Sequence, residues 1–184
     1  YFQNLTNDRR PFFAGNCGDL TIAGCTFFDL QSWQYEANSG GGALLVEQDC
    51  IVMIHECFFN LCRSNMHGGA LFICKKRNFF YTSADKRYPR VDTADYFKDF
   101  EIQKLTTQFC CFQDCFIFAE EGKGESNEKH GAAIYGAALN TIITYLSTIR
   151  CLGQDRTRHR GAQFDIQCDN EVTSSNINTT GGKS

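Results

Sequence analysis

The sequence has no excess of basic residues, no long apolar run, almost no proline and no close CxxC pairing, and each absence removes a class of function. Lys and Arg number 18 against 21 Asp and Glu, a formal net charge of -3, and the isoelectric point lies near 5.8. Nucleic-acid binders carry a basic face, so no nucleic-acid partner is expected. No apolar run reaches the roughly eighteen residues of a helical membrane span. The first residues also lack the basic-then-apolar pattern of a signal peptide. The eleven cysteines are odd in number and lack zinc-ribbon spacing, which leaves disulfides, stacked free thiols or a mixture. Two prolines against sixteen glycines point to many tight turns without rigid linkers.

What is present is enough to fold. The 184 residues, 42% of them hydrophobic, can form one domain with a substantial core. Two triplets, Asn4-Leu5-Thr6 and Asn178-Thr179-Thr180, would accept N-linked glycans if the chain is secreted.

The chain repeats itself. CTFFDL at 25–30, CFFNLC at 57–62 and CCFQDC at 110–115 share Cys-x-Phe, as Cys25/Phe27, Cys57/Phe59 and Cys110/Phe112. Each is followed by a loop and then a Gly-Ala signal: GGALLV at 41–46, GGALFI at 68–73 and GAAIYG at 131–136, with a weaker RGAQFDI at 160–166. Further copies of the first half fall at 147–152 and 175–180, and residues 1–5 match 26–30. A period of this kind signals a solenoid or propeller. The runs alternate with period two: in GAQFDIQC, Ala162, Phe164, Ile166 and Cys168 share one face. Strand-like runs DLTIAG, CIVMIHE and NTIITYL precede the Cys-x-Phe units. The prediction is an all-β chain, a parallel β-helix solenoid of about five coils with a long insertion around 75–100. It would be one domain over 1–184, a fragment of a longer solenoid.

In that arrangement equivalent residues form ladders. Cys25, Cys57 and Cys110 would stack, as would Phe27, Phe59 and Phe112, and Ala70 would sit between Ala43 and Ala133 where the coil bends. Small, readily buried cysteine suits an interior column. Stacked thiols are the first reading, because parallel side-chain vectors make poor disulfides.

These units, Cys57-Phe59-Asn60-Cys62 with Gly68-Gly69-Ala70-Leu71 and Cys25-Phe27-Asp29 with Gly41-Gly42-Ala43-Leu44, resemble the right-handed parallel β-helix, or pectin-lyase-like, superfamily. Within it they are similar to repeats of large protozoan surface proteins and, in related form, of bacterial polymorphic outer-membrane autotransporters. The Phe-x-x-Asn of the bacterial pattern is not kept. The resemblance implies a non-catalytic, adhesin-like surface scaffold, extracellular or at the cell surface, binding protein partners, further coils of its own chain, or glycan. The alternatives are a cytoplasmic filament or cytoskeletal component, and a polysaccharide lyase or glycoside hydrolase.

Loops recur between the Cys-x-Phe and Gly-Ala runs and would line one edge, where Trp33 and Tyr35 are candidate partner contacts. If Ala43, Leu45, Ala70 and Phe72 face inward, then Leu44, Val46, Leu71, Ile73 and Ile134 face outward. That apolar stripe needs a cover, either a partner docking on Leu44, Leu71, Ile73 and Ile134 or the insertion, which holds seven aromatics from Phe79 to Phe100.

Chemical sites are weakly signalled, and neither a catalytic residue nor a cofactor or metal is expected. Asp92, Asp95 and Asp99 suit one solvated helical face, and Asp165 with Asp169 reads as surface charge. Cys57 and Cys62 with His55 and His67 would not converge on one ion if the cysteines point inward and the histidines outward. GKGES at 122–126 lacks phosphate-loop spacing.

Overall fold

The computed structural model describes residues 12–14, 19–32, 40–46, 50–65, 67–73, 102–118, 131–153 and 163–181. Among them every regular element is a strand. The first pass of the chain contributes β1 (Phe12–Ala14), β2 (Leu20–Ala23), β3 (Thr26–Phe28) and β4 (Gln31–Ser32). The second contributes β5 (Leu44–Val46), β6 (Ile51–His55), β7 (Phe58–Asn60) and β8 (Arg63–Ser64). Next come β9 (Leu71–Ile73), β10 (Lys104–Gln108), β11 (Cys111–Gln113) and β12 (Phe116–Ile117), then β13 (Ile134–Ile149) with β14 (Leu152–Gly153), and finally β15 (Phe164–Thr180). The runs are rich in β-branched and aromatic residues, which fit a pleated, half-buried surface.

All pairings are parallel, and each strand pairs with its counterpart one pass away. Leu20 pairs with Val52, Val52 with Leu105, Leu105 with Thr141 and Thr141 with Val172. Phe27, Phe59, Phe112, Thr148 and Thr179 share a second ladder. Phe12, Leu44, Leu71, Ile134 and Phe164 share a third, and β4, β8, β12 and β14 form a separate four-stranded sheet. Parallel strands cannot be joined by a tight hairpin, so a long return of chain separates every pair. A one-residue bulge between Ala138 and Asn140 absorbs an extra residue of β15.

The core lies where the ladders face one another. Phe59, Phe112, Ile54, Leu105 and Leu146 are fully or almost fully buried in one cluster. Leu44, Val46, Leu71, Ile73 and Ile134 are wholly buried in that same cluster. This corrects the outward orientation read from the alternation, and it removes Leu44, Leu71, Ile73 and Ile134 as exposed partner contacts. The reason is a repeated irregularity at Gly-Ala. The Ala70 carbonyl accepts from both Ala43 N and Leu44 N, at 2.9 and 3.0 Å, and the Ala133 carbonyl from both Ala70 N and Leu71 N, at 2.9 and 3.0 Å. Two consecutive N–H groups sharing one acceptor suspend the pleat for a residue, as in a bulge. Ala43 and Leu44 therefore both turn inward, and every later residue changes face. The side chains that leave the main core are instead Leu45, Phe72, Tyr135 and Ala137, which form a smaller buried cluster of their own. The insertion expected to cover the stripe lies outside the described residues.

Candidate functional site

Two corners recur in every pass, and both require left-handed backbone. The first, after the Leu20 ladder, is built by Gly24, Glu56, Phe109, Tyr145 and Asn176, with φ of 59°, 54°, 52°, 51° and 53°. The second, after the Phe27 ladder, is built by Asp29, Leu61, Asp114, Arg150 and Gly181, with φ of 51°, 57°, 51°, 51° and 70°. Glycine enters this region freely, and Asn and Asp tolerate it.

In the first four passes the residue after each corner turns into the core. At the first these are Cys25, Cys57, Cys110 and Leu146, and at the second Leu30, Cys62, Cys115 and Cys151. The thiols of Cys57, Cys62, Cys110, Cys115 and Cys151 each bridge two backbone carbonyls, one two residues back and one on the neighbouring pass. Cys57 Sγ donates to His55 O at 3.2 Å and Ile22 O at 3.7 Å, and Cys110 Sγ to Gln108 O at 3.2 Å and Ile54 O at 3.6 Å. At the second corner Cys115 Sγ reaches Phe59 O at 3.5 Å, and Cys151 Sγ reaches Phe112 O at 3.4 Å. All nine described cysteines are free thiols. The Cys110 contact draws the Cys57 pKa down to about 7, while the same contact and burial push Cys110 up. Burial pushes Cys115 well up, and the Cys115 contact, then burial, push Cys151 up. Such thiols are held in the interior and shielded from reagents.

Beside the thiols, Phe27, Phe59 and Phe112 stack face to face, with centroids 4.7 Å apart at both steps. Ala43, Ala70 and Ala133 are fully buried at successive bends. Cys111 points the other way from Cys110 and is half-buried.

The other sequence candidates do not converge. Cys57 and Cys62 occupy different columns of the core, His55 is half-buried at the end of β6, and His67 packs on Phe72 and Tyr135 with centroids 6.1 and 5.1 Å away. Among the described residues no group of three or more His, Cys, Asp or Glu is placed to hold a metal ion. Asp165 is half-buried, paired in register with Tyr135, and Asn178 is exposed on β15. Asn4, Trp33, Tyr35, Asp92, Asp95, Asp99 and the GKGES loop lie outside the described residues.

Two features escaped the sequence reading. One is the second thiol column, signalled by an unvarying interval of five: Cys25 to Leu30, Cys57 to Cys62, Cys110 to Cys115 and Leu146 to Cys151. The other is an aromatic pair on the first corner. Phe109 and Tyr145 are 57% and 53% exposed, yet their rings stack at 4.7 Å and 8°. Their signal was position, since each stands directly ahead of a core residue where the first pass has glycine. The second corner differs in charge. There Arg63 meets Asp29 at 3.1 Å, and Arg150 meets both oxygens of Asp114 at 2.7 and 2.6 Å. The Arg150 contact holds the Asp114 carboxyl below the usual range.

Together these features define a parallel-β protein with thiol- and ring-filled interior columns. No protein-family model, curated protein or solved structure matches the chain. No helix among the described residues is long and apolar enough to cross a membrane.

Proposed function

We propose that the chain is a right-handed parallel β-helix serving as a non-catalytic interaction scaffold of the adhesin-like surface type. The observation that carries this reading is the shared register of equivalent residues across successive passes, from Phe27 through Phe59 to Phe112. A fold built by repetition presents regularly spaced side chains along its outside, which suits extended binding better than a single reactive pocket. Along the interior columns thiols bridge carbonyls and rings meet rings. Binding is assigned to the exposed corners and to the loops between passes.

A second reading, a cytoplasmic assembly component, is favoured by the nine free thiols, a state that reducing compartments preserve. Counting free thiols on protein from its native source, with glycan detection at Asn4 and Asn178, separates the two. Glycans or disulfides support the surface scaffold, and fully free thiols without glycan support the cytoplasmic one. Incubation with uronate polymers is expected to release no unsaturated or reducing ends. Cleavage that Asp165→Asn abolishes would overturn the non-catalytic assignment and favour a lyase.

A further inference from the structure

The two corners solve the same backbone problem with different side chains. At the second, carboxylates on left-handed residues are matched by the chain's own arginines, Asp29 by Arg63 and Asp114 by Arg150. At the first, Glu56 carries a carboxylate on the same kind of backbone, is exposed, and has no cationic partner among the described residues. Directly beside it, one pass on, stands Phe109, placed there by the bond from Glu56 N to Gln108 O at 3.0 Å. Tyr145 follows one pass further, placed by Phe109 N to Thr144 O at 3.1 Å.

The aromatic residues are not what the backbone asks for. Gly24 and Asn176 meet its demand in the same column, whereas bulky residues in this region are strained. Their mutual stacking offsets part of that strain but leaves each residue more than half exposed. An acid one strand spacing from an exposed ring face is the combination that recognises a guanidinium, which stacks on the ring while its N–H groups reach the carboxylate.

We propose that Glu56, Phe109 and Tyr145 form a docking site for an arginine side chain of a basic protein partner. The partner's arginine supplies the cation that Arg63 and Arg150 supply at the other corner. The polar flanks fit a charged rather than an apolar occupant. Gln108 Nε2 donates to Thr144 Oγ1 at 3.0 Å beside the rings, and Asn176 continues the column.

This inference rests on the scaffold reading and names one surface of it. The test is titration calorimetry of the full chain with a Gly-Arg repeat peptide and its Gly-Lys counterpart. The arginine peptide is expected to bind several-fold more tightly. Glu56→Gln and Phe109→Asn should each weaken it about fivefold, while the remote Glu171→Gln leaves affinity unchanged. Asparagine suits left-handed backbone, so Phe109→Asn should keep its melting temperature. Equal binding of the two peptides, equal loss from Glu171→Gln, or no binding at all would overturn the site. None of these results touches the uronate-polymer and thiol assays on which the scaffold reading stands.

Discussion

The Phe27 ladder is filled by phenylalanine in the first three passes and by threonine, Thr148 and Thr179, in the last two. The backbone register continues unchanged across the switch, so the column's filling is a choice of volume rather than a demand of pairing. The volume lost at Thr148 is recovered from another ladder. Phe164 meets the Phe112 ring edge-on, with centroids 6.4 Å apart, and Thr148 hydroxyl donates to Gln163 Oε1. One interior therefore has two packing regimes, a ring stack early and a hydrogen-bonded, cross-ladder arrangement late.

The largest effect should separate these regimes directly. Phe59→Ala removes the middle ring of the stack and should destabilise by about 3–5 kcal/mol. Thr148→Ala should lose only about 1 kcal/mol with its hydrogen bond. Urea unfolding of both variants checks this, and equal losses would mean that the late passes pack as tightly as the early ones.

Glycine offers a second contrast at matched backbone. Gly68 has φ of 58°, and a Cβ there would meet the Leu71 carbonyl at 1.9 Å; Gly24 has φ of 59° and open space around it. Gly68→Ala should destabilise by about 2–3 kcal/mol or block folding, and Gly24→Ala by about 1 kcal/mol, the left-handed penalty alone. Thermal melts of the pair isolate the clash from the conformational term.

The thiol columns sharpen the comparison further. Cys115→Ser places a hydroxyl in a fully buried apolar column and should lose about 1–2 kcal/mol, whereas Cys111→Ser, half-buried on the outer face, should be neutral. In native-state alkylation followed by mass spectrometry, Cys111 and Cys168 should label first among the described cysteines.

The smallest effect is at the second corner. Because its pKa is lowered in the fold, Asp114 contributes stability that is present above the ordinary carboxylate range and lost as pH falls through the folded value. Asp114→Asn should flatten that acidic slope slightly, since exposed pairs are weak, and Arg150→Gln should do the same.

The all-β, parallel character was legible because alternation and repetition both survive in sequence: Cys-x-Phe recurs with its strand-like prelude in each early pass. The face of β5 and β9 was not legible. It depends on one acceptor, the Ala70 or Ala133 carbonyl, serving two N–H groups, and a one-residue slip in phase inverts every assignment that follows. The second thiol column was visible as an interval, yet Cys62 was weighed as a metal-ligand spacing and as part of the repeat unit, never as a column of its own. The exposed pair at Phe109 and Tyr145 needed the corner's φ angles before its oddity could be seen.

Parallel register also sets how the chain must find its structure. The nearest ladder partners, Leu44 and Leu71, are 71 − 44 = 27 residues apart, and Phe59 and Phe112 are 112 − 59 = 53 apart. No hairpin exists among these ladders to seed pairing locally, so the first two passes must close a long loop before any ladder bond forms. Once they have met, each further pass docks on a finished edge. The expected kinetics are a slow start followed by templated growth.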